Sequence, residues 1–258
     1  MKRKFIRALW GIHDHQGRRF YKRRSKIDDD ISVMMKNPYV EPFRVYVFGK
    51  ENYKKVDDLG FDAVLLDDRP IVWDMDNEQF RHKLEVLKVA MEDFDEVVFL
   101  DWDTLPVAQL PENFWEKMHE KDSFQSPLIQ YKRRKASWRT FNGKKDTRKL
   151  CSASYIYLRD KELASDFIES WEELDRPWSE EMAISRCIDE RNGGWQGVEH
   201  YWDHHEPHWF ALPTKYWSYH PDRYRNDKER IFHHFDMNQM SPLVKKKKEE
   251  IDWIRYLQ

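Results

Sequence analysis

The sequence predicts an α/β fold, an α/β/α sandwich with a largely parallel central sheet. Three observations predict it. Short apolar runs at 5–10, 43–48, 63–66 and 96–100 are separated by helical or polar segments, and strand–helix alternation of this kind builds a parallel sheet with helices on its faces. Val97-Val98-Phe99-Leu100 is continuously apolar, as a strand covered on both faces must be. Phe80, Leu84, Leu87 and Met91 fall at i, i+4, i+7 and i+11, one stripe of a helix that can cover such a sheet.

The elements follow in order. Phe5 to Trp10 reads as a first strand, interrupted by Arg7 and ended by Gly11 and a basic loop. Phe43 to Phe48 is a second strand stopped by Gly49, and a polar helix over 51–59 leads through Gly60 to a third strand at 63–66. Asp67-Asp68-Arg69-Pro70 ends that strand, and Asp76 or Asn77 can cap the striped helix. Asp93-Phe94-Asp95 breaks the helix before the strand at 96–100. Beyond Pro111 a strand is expected at Ser152–Leu158, a helix from Lys161 to Leu174, and a second helix from Ser179 with Trp178 as a staple. Residues 192–234 are rich in Trp, Tyr and His and yield only short strands and loops, and the end of the chain reads as a short amphipathic helix.

The composition excludes several classes. The chain has 258 residues, 40% hydrophobic and 36% charged, which is globular and heavily charged at its surface. No apolar run approaches the roughly 18 residues of a membrane span. Two cysteines, Cys151 and Cys187, give neither a metal motif nor a disulfide framework. A soluble, cytoplasmic protein is expected. The net charge of −2 conceals segregation, because residues 2–26 carry +9 and residues 131–149 carry +8.

Asp101-Trp102-Asp103 stands directly after the apolar strand. Ligands of open α/β sheets bind outside the carboxyl ends of the strands. On an extended segment, residues i and i+2 face the same side, so Asp101 and Asp103 are expected to meet one cation while Trp102 turns away. Hard carboxylate oxygens suit Mg²⁺ or Mn²⁺. The spacing alone is uninformative, since Asp28/Asp30, Asp74/Asp76 and Asp93/Asp95 repeat it. Only the copy at 101–103 combines a preceding apolar strand with a following Thr-Leu-Pro turn.

RHKLEVLKVAMEDFDEVVFLDWDTLPV, residues 81–107, resembles the helix–strand–DxD core of nucleotide-sugar-dependent glycosyltransferases of the A-type (GT-A) fold. The resemblance is clear over 43–110 and weaker over 150–235, where LCSASYIYL, ALPTKYWSY and IFHHF resemble later strands of such enzymes. It implies one glycosyltransferase domain over 1–258, with a nucleotide-sugar-binding half at 1–110, an acceptor half at 111–240 and a helical tail at 241–258. It also implies a nucleoside-diphosphate sugar as donor, a UDP-sugar foremost, with Mn²⁺ or Mg²⁺ held by Asp101, Asp103 and His233 or His234. Glu181, in an acidic pair at a helix start, resembles the general base of inverting members, although acids are favoured in any first helical turn by the dipole.

Other candidates come from position. Arg81 and Lys83 precede the DxD strand on its helix and can add positive charge at the donor, or be ordinary exposed helix residues. Asp68 and Arg69 after the third strand, and Trp10, Gly11 and His13 after the first, lie where a nucleotide is expected. Arg133, Arg134, Lys135, Trp138, Lys144 and Lys145 interleave cations with an aromatic ring, as acceptor sites for phosphate backbones do. The acceptor is accordingly either a glycan or glycoconjugate, or a polyanion such as DNA bearing a hydroxymethylated base, which must leave the stack to react. A polyanion implies binding that falls steeply with salt. A nucleotidyltransferase fits less well, because only Gly11 and Gly17 are available for a triphosphate loop. A non-catalytic nucleic-acid-binding domain is the remaining alternative.

Overall fold

The computed structural model describes residues 1–9, 37, 39, 41–71, 78–102, 104–106, 108–119, 123–126, 128–130, 140–141, 144–145, 149–174, 179–191, 217–218 and 232–234. The first strands are β1 (Arg3–Leu9), β2 (Phe43–Phe48), β3 (Asp62–Asp67) and β4 (Glu96–Leu100), with helices α1 (Lys50–Asp58) and α2 (Glu78–Asp93) between β2 and β3 and between β3 and β4. Then come β5 (Thr104–Pro106), α3 (Phe114–His119), β6 (Phe124–Gln125), β7 (Leu128–Gln130), β8 (Thr140–Phe141), β9 (Lys144–Lys145), β10 (Lys149–Cys151) and β11 (Tyr155–Leu158). Helices α4 (Lys161–Glu172) and α5 (Glu180–Arg191) and strands β12 (Trp217–Ser218) and β13 (Phe232–His234) complete them.

The main sheet has six strands in the order β3-β2-β1-β4-β11-β6. The first four run parallel, β11 is antiparallel to β4, and β6 is antiparallel to β11. This is the expected α/β fold with a mostly parallel sheet flanked by helices. The chain moves outward from β1 to β2 and β3, then returns to place β4 on the other side of β1. That reversal makes a topological switch point, and the carboxyl ends of β1 and β4 border the crevice where such sheets bind ligands.

Alternation along the strands divides the core. Ile6, Ala8, Tyr46, Phe48, Val97, Phe99, Ile156 and Leu158 belong to one cluster with Leu84, Leu87 and Met91 of α2 and Leu163 and Phe167 of α4. On the opposite face Phe5 packs on Phe114, centroids 5.8 Å apart, and on Phe232 at 6.3 Å, while Tyr155 meets Phe232 at 5.2 Å. All five residues of β4 are buried, which explains the unbroken apolar run from Val97 to Leu100, and the buried Glu96 that opens it is paired with Arg3 and His119. The strand expected at 152–158 is shorter, because residues 152–154 form a turn between β10 and β11. Asp160 caps α4 by accepting from the Leu163 N–H at 3.0 Å. Cys151 and Cys187 are both buried free thiols.

The Asp93/Asp95 repeat is structural. Asp93 takes Arg44 at 2.8 Å, and Asp95 accepts from the Lys2 backbone N–H at 2.7 Å, tying β1 to the start of β4. Asp28/Asp30 and Asp74/Asp76, the caps proposed at Asp76 or Asn77, Trp178 and the tail at 241–258 lie outside the described residues.

Gly49 carries a positive φ of 92° and donates its N–H to the Asp67 carbonyl at 2.8 Å, joining the ends of β2 and β3. A Cβ there would stand 3.1 Å from Pro70. Gly49→Ala is therefore expected to cost about 1–3 kcal/mol. Urea denaturation with an unchanged m-value checks this, and wild-type stability in the variant would refute the reading.

Candidate functional site

Asp101 leaves the carboxyl end of β4 at the switch point, and the backbone turns at once. The Thr104 N–H donates to the Asp101 carbonyl at 2.9 Å, so the chain folds back directly after Asp101. Asp103 itself lies outside the described residues.

Three groups pin the turn. Arg7, buried in β1, donates to the Asp101 carbonyl at 2.5 Å and to the Thr104 carbonyl at 3.0 Å, with its guanidinium over the rings of Phe43 and Trp102. The Trp102 indole donates to the Ala8 carbonyl at 2.6 Å, and the Asp101 N–H donates to the Ser154 carbonyl at 3.0 Å. Burying a guanidinium is costly unless its donors are used, and here they hold the backbone that presents Asp101.

Beneath the turn lies a buried ion cluster. Lys83 of α2, its side chain 5% exposed, places Nζ 2.8 Å from Asp101 Oδ1 and 2.5 Å from Glu180 Oε1. It also donates to the Ala153 carbonyl at 3.3 Å and lies over the Phe99 ring. An ammonium has three hydrogens, and three protein acceptors surround this one. Burial alone would pull Lys83 down, but Asp101 and Glu180 outweigh it and hold the ammonium above the ordinary lysine range. Glu180 is pushed up by burial and by the neighbouring Asp101 charge, against the pull of Lys83.

This geometry corrects the reading of Lys83 as an ordinary exposed helix residue: it is buried, and its hydrogens are committed to Asp101, Glu180 and Ala153. The stripe contained the signal, because Lys83 falls at i+3 from Phe80 and i−4 from Leu87, on the inward face. Glu180 and Arg7 were not selected from the sequence at all. Arg7 was detectable as a lone charge inside an apolar strand, whereas Glu180 differs from Glu181 only by where α5 points it.

Glu181 lies next to the cluster. Its Oε1 accepts from the Ala153 N–H at 3.4 Å, so one residue, Ala153, receives Lys83 on its carbonyl and gives its N–H to Glu181. The start of α5 and the 152–154 turn are thereby fastened to the end of β4. His233 and His234 are described by their backbone, which pairs His234 with Thr104 and His233 with Leu105 in an antiparallel ladder. The late histidine strand thus runs alongside the segment that follows Asp103.

The remaining candidates are placed elsewhere. Asp68 pairs with Lys50 at 2.5 Å on the surface, and the Arg69 N–H closes a turn onto Asp67 Oδ1 at 2.8 Å. Arg81 pairs with Glu85 and, at 2.8 Å, with Glu172 of α4. Arg69 and Arg81 line a groove of about 940 Å³ between the end of β3, α2 and α4, whose lining includes neither Asp101 nor Lys83. Trp10, Gly11, His13, Arg133, Arg134, Lys135 and Trp138 lie outside the described residues. Lys144 and Lys145 are described by their backbone, as β9 of a two-stranded hairpin with β8.

Asp101 meets the chemical requirement for a hard divalent cation in part. One oxygen is held by Lys83, and the side chain remains 26% exposed at the crevice. Among the described residues no three His, Cys, Asp or Glu side chains gather to hold a metal; the other expected ligands are Asp103 and the two histidines, whose side chains are outside that set. Among the described residues, too, no helix is long and apolar enough to cross a membrane.

No family model and no curated protein matches the chain. Among solved structures, it is similar to a glycosyltransferase involved in the glycosylation of the major capsid of PBCV-1, at 11% identity and a TM-score of 0.41, over 94% of this chain and 98% of that one.

Proposed function

We propose that the chain is a metal-dependent glycosyltransferase, moving a sugar from a nucleoside-diphosphate sugar to a hydroxyl acceptor. The observation that supports this best is Asp101. It is a carboxylate at the switch-point end of a buried parallel strand, gripped from below by Lys83, on a turn fixed by Arg7 and Trp102. In this reading Asp101, Asp103 and His234 or His233 would hold Mn²⁺ or Mg²⁺, which supplies neutralisation of the charge that develops on the leaving diphosphate. Arg7 and Lys83 keep Asp101 from moving as the donor arrives, so no reorganisation is needed at the moment of reaction. Glu181, anchored beside Asp101 through Ala153, would take the proton of the acceptor hydroxyl. The acceptor is either a glycan or glycoconjugate, or a polyanion, which the excess of basic residues at 131–149 would suit.

The reading predicts a donor-dependent stabilisation. In a thermal-shift screen of UDP, GDP, ADP and CDP, one nucleotide at a hundredfold excess over its Kd should add about 2.7 kcal/mol, with Mn²⁺ present and not without it. A shift by none of the four, or one indifferent to metal, defeats the proposal.

A further inference from the structure

We propose that Glu180 and Lys83 are positioning residues of the cation site, and that the division of one buried ammonium between two carboxylates tunes Asp101 for a divalent ion. The inference rests on the sugar-transfer reading above. A lysine paired with Asp101 alone would neutralise it and weaken any cation site built on it. Here the ammonium stands 2.5 Å from Glu180 and 2.8 Å from Asp101. With Glu180 ionised, the three groups together carry a charge of −1. The cluster can discharge that excess on one side only, because the Glu180 side chain is 5% exposed and Asp101 is 26% exposed. Lys83 fixes Oδ1 of Asp101 in place, while the Asp101 side chain as a whole remains 26% exposed. Glu180 thus supplies negative charge to the site without reaching a ligand, while the visible neighbour, Glu181, is turned to Ala153.

The test is Mn²⁺ binding by the 258-residue chain, read from the electron paramagnetic resonance signal of free Mn²⁺ in separate titrations with UDP, GDP, ADP and CDP. Glu180→Gln keeps the shape, removes the charge and lets Lys83 pair wholly with Asp101. It should fold as the wild type does and bind Mn²⁺ with the preferred nucleotide about tenfold more weakly, the order expected for one unit charge several ångströms away in a partly buried site. Glu180→Leu, of similar volume, makes the same charge change should the amide not be tolerated. Glu180→Asp, which keeps the charge, should stay closer to the wild type. Asp101→Asn is the reference for a damaged site. If Asp101→Asn weakens binding while Glu180→Gln does not, the positioning role is wrong and the donor site stands. If Asp101→Asn binds like the wild type, or the wild type binds Mn²⁺ with none of the four nucleotides, the donor-site reading fails and this inference fails with it.

Discussion

Lys83→Met is expected to lose about 3–5 kcal/mol of folding stability, the usual cost of removing one partner from a buried ion pair. The loss does not come from the Lys83 side chain itself, whose methylenes methionine replaces well. It comes from Asp101 and Glu180, which then face each other with no cation between them, Glu180 fully enclosed. The Ala153 carbonyl loses its donor as well. Urea denaturation measures the change, and a second substitution identifies its origin. Glu180→Met in the same chain should recover most of the loss, because the stranded carboxylate is then gone; strictly additive single effects would show that the two residues are not coupled.

The same variant should respond to acid. Glu180 already sits above the ordinary carboxylate range because of its burial, and removal of the ammonium raises it further. A carboxyl whose folded-state pKa exceeds its unfolded value takes up a proton on folding, so its contribution is fully present below the unfolded pKa and is lost as pH rises through the folded one. Lys83→Met should therefore regain part of its deficit as pH falls from neutrality toward the ordinary carboxylate range. A deficit constant across that window would place the damage elsewhere.

What could be read from the sequence was periodic and local. The buried strand announced itself because a strand covered on both faces reads as a continuous apolar run, here 97–100, and the stripe of α2 because four apolar residues kept helical spacing. The sheet order, with its reversal between β1 and β4, depends on pairings of distant segments that no local pattern encodes. The turn at 101–104 was hidden for a related reason: Arg7 and Ala8, nearly a hundred residues earlier, provide the donors and acceptor that bend it. Charge types were visible, but charge partners were not. Lys83 was left open between a cation at the donor and an exposed helix residue because its neighbours in space, Asp101, Ala153 and Glu180, are scattered along the chain. Of the two acids opening α5, sequence favoured Glu181; packing turned the other one inward.

Asp101→Asn is the substitution expected to remove activity while leaving the fold in place. The amide is isosteric, and its carbonyl oxygen can continue to accept from Lys83 at the position of Oδ1. Glu180 still balances the ammonium, so stability should change far less than in Lys83→Met. The difference lies in the second oxygen of the group, which an amide NH₂ replaces. An NH₂ donates and cannot ligate a cation. Sugar transfer should fall by about a hundredfold or more, the scale of losing one preorganised charge-stabilising contact in a transition state. The Mn²⁺-dependent stabilisation by the preferred nucleoside diphosphate should vanish in the same protein. Two measurements therefore bear on one atom: a chain that keeps its denaturation midpoint but loses both transfer and the metal-dependent shift assigns Asp101 to the cation, and a chain that keeps the shift moves the donor away from the end of β4.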